Sequence, residues 1–312
     1  MNFVTAGRYR KYGTNSATNI CNDAGAIPVR NFSDGSHREV HKVSGEAMAK
    51  RFKTKWDTCK PCAILCGHKG TIDGRKIHIP EYETVHLLGS NLEIFDPVII
   101  SQWNDLCSDL GMDTISTGGT LAWAMEATEK GLIKTNLRFG SSDGVSDMIS
   151  DIAHCKGIGK DLAMGSRWAS KKYGGEDFAI HVKGLELPGY EPRGAFGQGV
   201  SYATANRGGC HLSAYVVALE ILFDMADPYA KRWKPYIVKF MEDLYSAINS
   251  LHICQFTSYA VMLEPFIIKM TPRFFRKILM QNLAPLAMNL MDLSLFPEMW
   301  HATLGKRYIP YI

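Results

Sequence analysis

Three cysteines, Cys59, Cys62 and Cys66, fall within eight residues in the run Cys59-Lys-Pro-Cys-Ala-Ile-Leu-Cys66. A loop this compact can wrap one corner of a cubane, because iron–sulfur clusters are held by four thiolates. Zinc sites more often present two separated pairs with short spacers, so the spacing favours a cluster over zinc. Three local ligands require a distant fourth, and Cys107, Cys155, Cys210 and Cys254 all compete for the place. Cys107 falls on an apolar helical face, where an inert buried thiol is expected. Glu81 and Glu83 precede the apolar stretch Val85 to Leu88. A carboxylate held beside buried surface has a raised pKa and suits general acid or base work, although first-turn glutamates are also ordinary helix starts. His211 follows Arg207-Gly-Gly-Cys, a flexible turn entering a helix, where backbone N–H groups can face an anion. Tyr190, between Gly189 and Glu191, can give a hydrogen bond or a proton to a carbonyl. Taken singly, each of these three residue types reads as structural.

The elements that must position them are mainly helical. Residues 1 to about 57 read as loops with one short helix around Gly45 to Phe52, and Thr71 to Pro80 alternates around Asp73-Gly74 as a small hairpin. Asp96 followed by Pro97 supplies a cap and a favoured first residue for a helix whose face carries Ile99, Trp103, Leu106, Cys107 and Leu110, stopped by Gly111. Further helices are predicted from Gly119 to Lys130, Val145 to His154, Gly159 to Tyr173, His211 to Met225 and Tyr236 to Leu251. Ile180 to Gly209, rich in Gly and with Pro188 and Pro192, reads as a crossing between domains and an exposed functional loop. An amphipathic tail is expected from Pro272 to Phe296, interrupted by Pro285. The pattern predicts a mainly α, multihelical fold of two all-α domains, 1–178 with the cluster loop and 179–312 with the His/Tyr loop.

Composition narrows the function. The 312 residues are 46% apolar and 21% charged, an ordinary globular balance. Thirty-five Lys and Arg against 31 Asp and Glu give a formal charge of +4, short of the dense basic stripe that captures nucleic acid. No run reaches the roughly 18 apolar residues of a membrane span, since Glu220 and Asp224 break the longest candidate, Tyr215 to Ala226. No basic region followed by an apolar core opens the chain, so the expected location is the cytoplasm.

Several longer runs resemble one family. Gly159-Lys-Asp-Leu-Ala-Met-Gly-Ser166, Lys172-Tyr-Gly-Gly175, His181-Val-Lys-Gly-Leu-Glu-Leu-Pro-Gly-Tyr190-Glu-Pro-Arg193 and Tyr202-Ala-Thr-Ala-Asn-Arg-Gly-Gly-Cys-His211-Leu are similar, in order, to the tungsten-containing aldehyde:ferredoxin oxidoreductases. So are Glu81-Tyr-Glu-Thr84, Gly89-Ser-Asn-Leu92 and Asp109-Leu-Gly-Met-Asp113-Thr-Ile-Ser-Thr-Gly118. The resemblance runs from about Gly13 to Phe256 and fades after Pro272.

The resemblance implies that Cys59, Cys62 and Cys66 bind a [4Fe-4S] cluster with Cys254, in Asn249-Ser-Leu-His-Ile-Cys254, as the fourth ligand. It implies a tungsten or molybdenum bis-pterin centre held by Asp113, Thr114, Arg207 and the segment around Asn249. The active-site acid falls on Glu83, with Glu81 as the alternate, the proton-donating histidine on His211 and the catalytic tyrosine on Tyr190. The implied reaction is oxidation of an aldehyde to a carboxylic acid in an anaerobic cytoplasm, with ferredoxin accepting electrons; some relatives run a reductive chemistry instead. Lys53, Lys55 and Lys60 near the cluster loop suit an acidic ferredoxin. Ser108 and, in the second pterin loop, Asn249 and His252 depart from the family's acidic and glycine positions. Family members begin with a sheet-rich domain that nothing here resembles. That points to a fragment or to a separate chain supplying the domain, with a cluster-only electron-transfer remnant as the alternative function.

Overall fold

The structure is a computed structural model that describes residues 6–257 apart from Pro61, Ala63, Asp73 and Ile253. The expected amphipathic tail therefore lies outside the described residues. Helices dominate. α1 (Arg8–Tyr12) and α2 (Thr18–Asp23) precede α3 (Gly45–Phe52), whose N-cap Ser44 accepts from the Ala47 amide. β1 (Lys55–Trp56), β2 (His68–Ile72) and β3 (Arg75–His78) form an antiparallel sheet in that order. The hairpin read at Thr71 to Pro80 is present, with Ile72 opposite Arg75 and Gly74 at φ 78°, while β1 extends it to a third strand.

α4 (Tyr82–Leu87) carries Glu83, and Glu81 stands at its N-cap position. α5 (Pro97–Asp109) starts as the Asp-Pro signal predicts, Asp96 accepting from the Val98 amide at 2.8 Å. α6 (Thr114–Glu129) begins five residues before the expected Gly119, because Asp113 caps it by accepting from the Ser116 amide at 2.7 Å. Its interior Gly118 and Gly119 each cost about 1 kcal/mol of helix stability. They permit a close crossing: a Cβ on Gly118 would stand 2.5 Å from the Leu87 carbonyl oxygen of α4, and one on Gly119 2.9 Å from Glu186. The helix that is packed on all sides thereby fixes α4 on one flank and the β4–β5 hairpin region on the other.

α7 (Val145–Ala153) is followed by α8 (Gly159–Leu162) and α9 (Ser166–Tyr173). The predicted single helix from Gly159 to Tyr173 is split at Gly165, φ 84°. Buried Glu186 accepts from the Ser166 amide at 2.8 Å and its hydroxyl at 2.7 Å, and so takes the place of a cap at the start of α9. The stretch read as an exposed crossing is neither exposed nor irregular throughout. It holds the hairpin β4 (His181–Val182) and β5 (Leu185–Glu186), buried Pro188 to Pro192, and α10 (Phe196–Thr204).

The largest correction falls on His211 to Met225, expected as one helix. Residues 211–214 run as turns, Tyr215 takes φ 46°, and only Ala218–Leu222 winds, as a π-helical turn. Tertiary bonds override the helical pattern there. Gln198 accepts from the Val217 amide at 3.2 Å, and Glu220, paired with buried Lys234, accepts from the Gly197 amide at 2.8 Å. α11 (Lys234–Ser250) closes the described fold, packing against α10. It buries Val238, Met241 and Tyr245, and Leu251, where the predicted helix ended, is exposed just beyond it.

One hydrophobic cluster runs from Val43 to Phe178 around Trp123 of α6. A second joins Ala17 to Val40 with Tyr82, Tyr190 and residues of α10, the π turn and α11. α4 lies where the two meet, since Val85 belongs to the first and Tyr82 to the second.

Candidate functional site

A cavity of about 560 Å³ opens beside α4. Glu81, Glu83, Tyr190, Arg207, His211, Asn249, Cys66 and Cys254 line it, so most of the residues singled out in the sequence meet at one place although they span nearly 190 positions of the chain. Cys59, Cys62, Asp113 and Thr114 stand outside its lining. Thr114 nonetheless ties α6 to α4 through a 2.8 Å hydroxyl contact with Thr84, and Asp113 is close enough to Glu83 for its charge to oppose ionisation there.

Glu83 is the centre of the wall. Its Oε2 accepts the Gly189 amide hydrogen, and its Oε1 is buried without a hydrogen-bond partner among the described residues, 3.4 Å from His211 Nε2. Burial pushes the carboxyl up to about 8, with Asp113 adding to it and the Gly189 N–H opposing it. Burial also pushes His211 down to about 3, and the cation Arg207 lowers it further. Near neutral pH the pair is therefore an uncharged acid and an uncharged imidazole, not an ion pair. With Oε2 occupied by the Gly189 N–H, the carboxyl proton belongs on Oε1, facing His211. Glu81 is the more exposed of the two acids. It accepts from the Thr14 hydroxyl, which lowers a pKa that burial raises.

Aromatic rings make the rest of the wall. Tyr190 stacks on Tyr82, with centroids 4.7 Å apart and planes 19° apart, and its hydroxyl lies 3.0 Å from that of Tyr215. The Tyr82 hydroxyl donates to the Gly189 carbonyl at 2.9 Å, so the same residue whose N–H grips Glu83 is held from its other side by the neighbour of Glu83. Tyr9 and Phe256 add two more rings. Sequence reasoning missed Tyr82, Tyr215 and Tyr9. Tyr82 had the plainest signal, sitting between the two glutamates, whereas Tyr215 was hidden by the helix expected around it. Beneath α4, fully buried His86 contacts the hydroxyls of Thr18 (3.3 Å) and Ser90 (2.9 Å), and burial lowers it to about 3.

The cysteine loop hangs from the sheet edge, where the Asp57 amide donates to the Gly67 carbonyl at 3.0 Å. The Leu65 amide donates to Cys62 Sγ at 3.5 Å, and this bond lowers the Cys62 pKa. Cys66 is pushed up to about 11, first by burial and then by the negative charge of Glu81, Cys62 and Cys254. That Cys66 senses both other thiols puts the three in one electrostatic neighbourhood. Among the described residues no three His, Cys, Asp or Glu side chains converge on a point that would hold a single metal ion. A cubane asks for less, because each thiolate binds a different iron, and backbone N–H groups directed at sulfur suit it. Thiolates that repel one another are also what a cationic cluster would neutralise. The sulfur set thus fits a cluster better than a lone zinc ion.

A helical scaffold thus sets the Cys66 and Cys254 thiols and a neutral acid–imidazole pair around one cavity. The family described as "Aldehyde ferredoxin oxidoreductase, domains 2 & 3" matches residues 2–309, and the chain belongs to it. It is 41% identical over 271 residues to the tungsten-containing aldehyde ferredoxin oxidoreductase of Pyrococcus furiosus, covering 83% of this chain and 44% of the relative. The enzyme of the same name from Thermococcus kodakarensis is 39% identical with the same coverage. The aliphatic sulfonate oxidoreductase, WOR-like subunit, of Pyrococcus furiosus is 26% identical over 96% of this chain and 46% of its own length. The chain therefore spans less than half the length of the relatives it matches.

Proposed function

We propose that this chain forms the helical part of an enzyme that oxidises aldehydes to carboxylic acids and passes the electrons through a [4Fe-4S] cluster to ferredoxin, in an anaerobic cytoplasm. The observation that carries the reading is the single cavity that joins the neutral Glu83–His211 pair and Tyr190 to Cys66 and Cys254. Cys59, Cys62, Cys66 and Cys254 hold the cluster. Arg207, Asn249, Asp113 and Thr114 hold the pterin of a tungsten or molybdenum centre; Arg207 and Asn249 line the cavity, and Asp113 keeps one carboxylate oxygen beyond the one that caps α6. When bound, such a centre supplies the two-electron redox step, with the net change RCHO + H₂O → RCOO⁻ + 3H⁺ + 2e⁻.

This chain's residues bind the aldehyde and manage its protons. The Tyr190 hydroxyl gives a hydrogen bond to the carbonyl oxygen and accepts one from the Tyr215 hydroxyl, 3.0 Å away. Glu83, titrating near 8, sits where both of its forms are accessible at working pH, which is the condition for efficient proton transfer. His211 receives the Glu83 proton at Nε2 and returns it, and its low basicity keeps it from trapping the proton. The stacked rings of Tyr82 and Tyr190 exclude water from this exchange.

The sheet-rich first domain of the family is supplied by further polypeptide or by a second chain. The departures at Ser108, Asn249 and His252 from the family's pterin-loop residues favour one other reading, an electron-transfer remnant that binds only the cluster. Anaerobic purification of the natural protein from cells given tungstate or molybdate separates the two. Four irons with tungsten or molybdenum, and aldehyde-dependent reduction of a dye, are expected. Iron and sulfide alone, without aldehyde oxidation, overturn the enzyme in favour of the remnant.

A further inference from the structure

We propose that the outer face of the β1–β3 sheet, with Trp56 at its edge, is the docking surface for an acidic electron-carrier protein. This rests on the reading that electrons leave through the neighbouring cysteine loop. Residues 50–78 contain eight Lys or Arg against only Asp57 and Asp73, a surplus larger than the +4 of the whole chain. The sheet gathers much of this charge on one side. Lys55 lies opposite Lys69, Lys69 opposite His78, and Thr71 opposite Lys76, so strand alternation sets all five on one face. The other face turns inward, where His68 is buried and a Cβ on Gly70 would stand 2.9 Å from Phe52.

Like charges directly opposite each other weaken a sheet, and Lys55 against Lys69 is such a pair. Asp57 offers partial relief, 3.2 Å from Lys69 and 3.6 Å from His78. Lys53, Lys55, Lys60, Arg75 and Lys76 make no ion pair among the described residues. Trp56 is 57% exposed yet held, its indole N–H donating to the Arg10 carbonyl at 2.6 Å. An exposed face of cations, several of them without ion pairs, with an exposed and fixed aromatic ring on its edge strand has the make-up of a protein-binding surface, and its charge selects an acidic partner. Cys59, also exposed, follows Trp56 by three residues, so a protein seated here approaches the cluster loop directly. The transfer makes and breaks no bond: the reduced cluster loses one electron, the oxidised iron–sulfur centre of the carrier gains it, and two carriers are needed for each aldehyde.

The test follows aldehyde oxidation by the holoenzyme with two acceptors, a small viologen dye and an acidic ferredoxin. Lys55→Glu combined with Lys76→Glu is expected to raise the KM for ferredoxin about tenfold or more while the dye-coupled rate stays within about twofold. The wild-type KM for ferredoxin should also climb with ionic strength. A ferredoxin KM unmoved by the double variant, with a normal dye rate, overturns the docking surface. Should the double variant fail to fold, Lys76→Gln and the salt series decide, and a flat salt response overturns it. Absence of dye-coupled oxidation in the wild type counts against the aldehyde reading alone. Docking is then decided by electron transfer from pre-reduced protein, freed of reductant, to ferredoxin: salt- and charge-dependent rates support it, and insensitive rates overturn it.

Discussion

Between Lys55 and His78 the chain leaves Lys55, Lys60, Arg75 and Lys76 in water without an ion pair among the described residues, whereas from Glu83 to His86 it withdraws acid and imidazole from water until neither keeps its charge at neutral pH. The two stretches are neighbours in sequence, and the cysteine loop inside the first reaches the cavity of the second at Cys66. One uses charge at a distance, through solvent, where salt screens it. The other uses proximity in a desolvated wall, where a shift of a pKa by several units is possible and salt hardly reaches. The contrast teaches that a redox protein can divide its work by dielectric, keeping partner selection on the wet side and proton handling on the dry side.

The strongest way to break the comparison is to remove one of the thiols proposed to hold the cluster between the two. Cys254→Ser is expected to abolish the visible absorbance of the cluster in the reconstituted protein, and an unchanged spectrum rejects Cys254 as a ligand. Next come Glu83→Gln and His211→Asn, each expected to leave metal content intact and to lower turnover by about a hundredfold or more, the scale of a lost acid–base group. Full activity in either variant removes that residue from the proton path. Gly189→Ala sharpens the picture of the dry wall. Its new methyl would lie 3.1 Å from Glu83 Oε2 and from His86 Cβ, so thermal denaturation should show a loss of about 1–3 kcal/mol, with a several-fold lower turnover. Wild-type behaviour would mean that the loop yields more than its packing implies.

The smallest effect concerns pH. His86 titrates near 3 when folded and near 6.5 when unfolded, so its contribution to stability is complete above 6.5 and drains away as pH falls toward 3. Glu83 runs the other way, contributing fully below 4.5 and less as pH rises through about 8. His86→Gln should flatten the acid-side slope of stability by up to about 1.4 kcal/mol per pH unit, measured by denaturant unfolding between pH 6.5 and 4. Equal slopes in the two proteins would show that His86 takes up its proton without opening the fold.

Much of the fold was legible where local chemistry decides it. The Asp96-Pro97 start of α5, the helix at Gly45 to Phe52 and the hairpin around Gly74 need nothing beyond caps and turns. Elements set by distant partners were not legible. α10 hides behind Gly197, and that glycine is there because a Cβ would meet Val216 and Glu220, a contact between segments that no window of sequence displays. The helix expected after His211 fails for the same reason, since Tyr215 and Val217 take their bonds from Tyr190 and Gln198. In the site, the spacing of Cys59, Cys62 and Cys66 spoke for itself, while Glu83, His211 and Tyr190 stood out only through their resemblance to a family. That it is Glu83 and not Glu81 whose burial outweighs its bonds was not legible, because the segment that covers it includes Gly189, over a hundred positions away.

That amide belongs to a residue with two duties. Gly189 gives its hydrogen to Glu83 and its oxygen to Tyr82, and the next residue is Tyr190, stacked on Tyr82. Rotating this one short link would tilt the carboxyl and the ring pair together. The pocket thus behaves as a gear train in which acidity and shape turn on a common axle, and a ligand that reshapes the aromatic floor also resets the proton it will meet.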